Sequence, residues 1–162
     1  LLSHASPAFF HEKGVLYPSV GGVGAKGALK SISGSLRAIG FNQCYSYRVG
    51  TASWNAYKPN EKVKRQLRKV SVKFCKDVMN KKIHYAKTSI LIPYNLFRGM
   101  GRYYAPGTEF ETEDGIYWTD KERIARAYDK AVPLHLYQKI LGGIFCFIGK
   151  TAGKKMIVTY KR

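Results

Sequence analysis

The stretch EKVKRQLRKVSVKFCKDVMNKKI, Glu61 to Ile83, decides how this chain is read. Its apolar residues Val63, Leu67, Val70, Phe74 and Val78 recur at spacings of three and four, which places them on one face of a helix. Asn60, just before it, is a residue type whose side chain caps a helix N-terminus. The other faces carry Lys62, Lys64, Arg65, Arg68, Lys69, Lys73, Lys76, Lys81 and Lys82, against only Glu61 and Asp77. A solvated helix face mixes its signs. Nine cations against two acids instead mark a face that meets something anionic.

The same imbalance runs outward from this helix. Positions 1–108 hold 18 Lys and Arg but only Glu12, Glu61 and Asp77, leaving +15 of the chain's formal +18 in its first two thirds. Six of the ten acids then crowd into Glu109, Glu111, Glu113, Asp114, Asp120 and Glu122. That cluster reads as a docking patch for a basic neighbour, including the chain's own 61–83 helix. A chain so charged repels itself when alone. At 162 residues, 45% hydrophobic and 14% aromatic, with twelve Tyr, it has the apolar content to fold as one domain, and wholesale disorder is excluded.

Upstream, residues 1–40 are rich in Gly and Ser and nearly free of acid. They read as an extended tail, with a short helix over 28–39 and cations at Lys26, Lys30 and Arg37. A tail of this kind gains order by lying on a partner. The chain opens on Leu1, and its first residues have the composition found around an organellar targeting segment. Residues 42–49, with Tyr45, Tyr47 and Arg48, alternate as a strand does, and a loop follows around Trp54, Tyr57 and Pro59.

Downstream, 88–93 reads as a buried strand ending at Pro93. A glycine-rich loop follows with Arg98, Arg102, Tyr103 and Tyr104, and 115–118 reads as a short strand. A helix is expected from Thr119 or Asp120 to about Leu141, broken at Pro133. Residues 144–148 and 156–160 read as a hairpin around Gly149 and Gly153. The expected fold is therefore a small α+β domain over 41–162, preceded by the 1–40 tail. It has the basic amphipathic helix, a second C-terminal helix and a few short antiparallel strands.

Catalytic and metal signatures fail on spacing. Gly149-Lys-Thr151 lacks the glycine that a phosphate loop needs at position 144, which is Ile, and only eleven residues follow it. Leu96-Phe-Arg-Gly99, Gly115-Ile-Tyr-Trp118 and Ala125 resemble motifs of the NAD-binding ADP-ribosyltransferases. That family uses a late catalytic glutamate, and no glutamate follows Glu122. His4, His11, His84 and His135 do not form the short-spaced ligand pairs of a zinc site. No cofactor and no small-molecule substrate is expected. Three distant cysteines, Cys44, Cys75 and Cys146, fit a reducing interior rather than a disulfide framework. The longest apolar run, 140–149, is half the roughly 20 residues that a membrane-spanning helix needs.

The sequence thus points to a non-enzymatic structural component of a large ribonucleoprotein, most simply a mitochondrial ribosomal protein. Its tail and its 61–83 helix would neutralise rRNA phosphates. Arg98, Arg102, Tyr103 and Tyr104, with Arg48, would form a second contact, because guanidinium groups grip phosphates and aromatic rings stack on unpaired bases. The alternative is an accessory subunit of a mitochondrial respiratory-chain or ATP synthase complex. There the cations would face anionic lipid or acidic subunits, and 132–148 would be a membrane-surface or core element.

Overall fold

The computed structural model describes residues 9, 11–20, 24–51 and 57–156. The chain divides into two compact units at the junction of His84 and Tyr85. The class is α+β and mostly helical.

The first unit runs β1 (Lys13–Leu16), β2 (Ser19–Val20), α1 (Ala25–Ala38), β3 (Gln43–Ser46), β4 (Val49–Gly50) and α2 (Glu61–Met79). Its strands pair in parallel, β1 with β3 in the register Lys13 to Gln43 through Leu16 to Ser46, and β2 with β4. The expected antiparallel pairing is corrected. A tight hairpin produces antiparallel neighbours, whereas strands joined through a helix such as α1 return in the same direction. The 1–40 segment is likewise more than a tail, since its described part supplies two strands and a helix. The boundary between the two compact units falls at His84 and Tyr85. Gly40, at φ 119°, ends α1 in the left-handed conformation that favours glycine. That turn delivers Phe41, whose ring stacks on Phe9 at 5.5 Å, and then β3.

The apolar stripe read in 61–83 packs α2 against β1 and β3, with Phe74 edge-on to Tyr45 at 5.8 Å. Asn60 caps α2 by accepting the Val63 N–H at 3.0 Å. At the other end Asp77, only 4% exposed, is buried with its charge. It accepts a hydrogen bond from the Tyr45 hydroxyl, and His84 Nε2 lies 2.7 Å from the same carboxylate oxygen. His84 is itself fastened, its N–H donating to Asn42 Oδ1 at 2.7 Å while the Asn42 amide donates back to the His84 carbonyl at 2.9 Å. The Tyr45 hydrogen bond is the largest influence on the Asp77 carboxyl. Together with His84 and the charge of Lys82 it outweighs burial and holds the carboxyl below its ordinary range. Burial and the same hydrogen bond push the Tyr45 phenol up.

The second unit is helical throughout: α3 (Thr88–Met100), a 3-10 turn (Gly101–Tyr103), α4 (Glu113–Thr119), α5 (Lys121–Ile124) and α6 (Leu136–Met156). Three strand expectations are corrected here. Residues 88–93 open α3, with Pro93 inside it. A proline there removes a helix hydrogen bond at a cost of about 3 kcal/mol. Burial of Leu91, Tyr94 and Asn95 on the inner side of α3 offsets it. Residues 115–118 belong to α4, because Thr112 caps it by accepting the Gly115 N–H at 3.2 Å, and Glu113 and Asp114 complement its N-terminal dipole. The helix expected from 119 to 141 is the short α5 followed, beyond Pro133, by the start of α6.

The third correction is the largest. Residues 144–156 continue α6 rather than forming a hairpin, and 157–160 lie outside the described residues. Gly149 and Gly153 are contact residues instead of turn residues. With Gly142 and Cys146 they recur at spacings of four, three and four, making a smooth seam along α6 against α3. The helices come so close that a Cβ on Gly149 would sit 2.2 Å from the Leu96 carbonyl oxygen, and one on Gly99 of α3 would sit 2.1 Å from that of Cys146. At this distance Arg102 Nη2 and the Tyr103 hydroxyl both donate to the Lys150 carbonyl, at 2.8 and 2.7 Å. Gln138, buried at the head of α6, donates to the Ala86 carbonyl at 2.7 Å and accepts the His135 N–H at 2.9 Å.

Candidate interaction surfaces

With Val63, Leu67, Val70 and Phe74 half-buried and Val78 left exposed, the cations of α2 point outward. Lys62, Arg65, Arg68, Lys69, Lys73 and Lys76 are all exposed. Among the described residues Lys64 is the cation of α2 that has an ion pair, with Glu61 at 2.8 Å. That exposed pair contributes less than about 1 kcal/mol. The outward face is not purely charged. Val72, Cys75 and Met79 are exposed in its middle, where Arg65, Arg68, Lys69 and Lys76 surround apolar surface. Of the other N-terminal cations, Lys26 and Lys30 stand exposed on α1 and Arg48 between β3 and β4, while Arg37 is half-buried.

The loop expected to present arginine and tyrosine to RNA is built differently. Arg98 lies inside α3 and is 6% exposed. Arg102, though exposed, directs Nη2 to the Lys150 carbonyl of α6, to which the Tyr103 hydroxyl also donates, and its guanidinium lies 4.8 Å over the Tyr103 ring. Tyr104 is half-buried, and burial raises its phenol pKa. The acidic cluster is employed locally. Glu111 accepts the Gly107 N–H at 2.6 Å, Asp120 caps α5 through the Arg123 N–H at 3.1 Å, and Glu122 pairs with Lys130 at 3.4 Å.

A second surface is the outer side of α6, within the 132–148 stretch that the alternative reading named as a membrane-surface or core element without resolving its exposed face. With Gln138, Gly142, Cys146, Gly149 and Gly153 buried, the opposite face presents Leu136, Ile140, Ile144, Phe147 and Ile148. Leu136 is 74% exposed and Phe147 66%. Lys139 and Lys150 flank this strip along one side, and Lys154 and Lys155 close its C-terminal end. The signal was present as helical spacing across 136–148, hidden by reading Gly149 as a turn. No described helix is long and apolar enough to cross a membrane. Comparison with protein-family models, with curated proteins and with solved structures finds no match to this chain.

Proposed function

We propose that this chain is a non-enzymatic accessory subunit of a large membrane-bound assembly of the mitochondrial respiratory-chain or ATP synthase kind. In this reading α6 lies along the apolar–aqueous boundary and α2 faces anionic headgroups. The observation that carries it is the outer side of α6, an apolar strip edged and ended by lysines. An amphipathic helix lying in a membrane surface has this arrangement. Contiguous exposed apolar strips rimmed by polar residues mark protein or membrane contact sites. Removing even half of the strip from water contributes on the order of 5 kcal/mol. The lysine stems extend along the apolar surface while their ammonium groups reach outward. Each α2 cation near an anionic surface adds roughly 1 kcal/mol.

The test is the pair Ile140→Glu with Ile144→Glu, followed by native electrophoresis of detergent-solubilised membranes. The expected result is loss of the chain from the large complex with its melting temperature unchanged, because both side chains are exposed. Retention in the complex would refute the reading.

The second reading is a mitochondrial ribosomal protein that binds rRNA through α2. It is favoured by six exposed cations on one 19-residue helix without an ion pair among the described residues. Several simultaneous phosphate contacts give a steep fall of affinity with salt. The burial of Arg98 and the hydrogen bonds that Arg102 and Tyr103 donate to α6 weigh against it, since these residues with Tyr104 were expected to form its second RNA contact.

A further inference from the structure

The second unit contains a cavity of about 710 Å³ between α3, α6 and the 125–134 segment. Four cations line it: Arg98 of α3, Arg126 and Lys130 of the crossing segment, and Lys139 of α6. The one acid there, Asp129, accepts the Ala131 N–H at 2.8 Å. Arg98 is the anomaly. An arginine 94% withdrawn from water keeps its charge and needs partners for its donors. Among the described residues its Nη2 reaches only the Gly142 carbonyl, at a long 3.4 Å. Its Nε has no hydrogen-bond partner among the described residues. No described carboxylate pairs with it. Holding a buried charge unpaired is strongly unfavourable. The remaining walls are apolar or aromatic, including Tyr85, Val132, Pro133 and Leu134.

We propose that this cavity binds the phosphate group of an organic phosphate, with Arg98 as the buried anchor, Arg126 and Lys139 at the rim, and the ligand's organic body against Tyr85, Pro133 and Leu134. A planar guanidinium matches phosphate oxygens in geometry and is the preferred partner for them in a partly dry site. The volume lies within the range of small-molecule sites and exceeds what inorganic phosphate alone fills. The inference stands on this cavity and does not require the α6 strip to meet a membrane. A phospholipid headgroup and a soluble phosphate ester present the same chemistry.

The experiment is calorimetric titration of the full chain with three probes: dihexanoyl phosphatidate below its micellar concentration, glycerol 3-phosphate, and ADP. Binding by the phosphatidate alone identifies a lipid headgroup. Comparable binding by a soluble ester identifies a soluble ligand, and either result supports the site. Arg98→Met is expected to weaken the bound probe about tenfold or more, the loss of one charge-assisted hydrogen bond. Because Arg98 is also packed in the core, the rim pair Arg126→Glu with Lys139→Glu provides a second reading and is expected to act in the same direction. Lys121→Glu, an exposed cation of α5 outside the cavity lining, should leave the affinity unchanged. Absence of binding by all three probes at millimolar concentration overturns the proposal. So does binding that ignores the pocket variants.

Discussion

Two glycines of α6 are expected to respond to the same substitution with opposite signs. Gly143→Ala adds a methyl group where nothing lies within 4 Å. It should stabilise the chain by up to about 1 kcal/mol, the helix-propensity difference between the residues. Gly149→Ala gains the same propensity but sets its Cβ 2.2 Å from the Leu96 carbonyl oxygen, with the Gly99 Cα and the Leu96 carbonyl carbon both at 3.1 Å. Two of these obstacles are carbonyl atoms of α3 and the third is its backbone Cα, so no side-chain rotation relieves the overlap. The helices must separate by roughly 1 Å, and a gap of that size forfeits a quarter to a half of the dispersion energy between facing atoms. Overpacking of this kind costs about 1–3 kcal/mol. The net expectation for Gly149→Ala is a destabilisation of up to about 2 kcal/mol after its propensity gain. Urea unfolding followed by the fluorescence of Trp118, which is buried in the same unit, measures both variants. If Gly149→Ala stabilises as much as Gly143→Ala, α6 does not lie on α3 by this seam, and the helical account of 144–156 fails.

Asp77 gives a pH signature. Its folded pKa is depressed, so its contribution to stability is complete above the unfolded carboxylate value near 4 and is lost as pH falls through the lower folded value. Asp77→Asn should therefore be less stable than the parent at neutral pH, by about 2 kcal/mol or more. The gap should narrow under acid, and equal gaps at pH 7 and pH 3 would exclude the ionised Asp77 as the cause. Tyr45→Phe removes the hydroxyl that Asp77 accepts from and should cost about 1–3 kcal/mol in thermal unfolding, with less than 0.5 pointing to a spare partner. The triple change Arg65→Glu, Arg68→Glu and Lys69→Glu should abolish sedimentation with vesicles rich in anionic lipid. It should leave the melting temperature within a few degrees, because all three side chains are exposed, and unchanged sedimentation would remove α2 from the interface.

The basic helix and its cap were legible because periodicity, capping residue and length agreed over 61–79, and packing did not overrule them. The second unit was less legible for a physical reason. Gly149 and Gly153 read locally as turn residues, yet both face α3 or the turn that ends it, where a Cβ on Gly149 would meet the Leu96 carbonyl and one on Gly153 the Met100 side chain. Which demand a glycine answers is not visible until the neighbour is in place. Ile90 to Ile92 followed by Pro93 likewise carries strand propensity, and burial of Leu91, Tyr94 and Asn95 overrides it. Arg98 illustrates the limit for the surfaces. In sequence it is one arginine in a loop rich in Arg, Tyr and Gly, and only the fold reveals that its guanidinium is turned inward.

The central claim is that the partner of this chain is a membrane-bound protein assembly. The most direct measurement is sedimentation of a native lysate, following the chain by mass spectrometry, untreated, after ribonuclease and after detergent. The account predicts that the chain stays in the heavy fractions through ribonuclease digestion and shifts only when detergent is added. Release by ribonuclease alone would contradict it and give the assignment to the ribonucleoprotein reading.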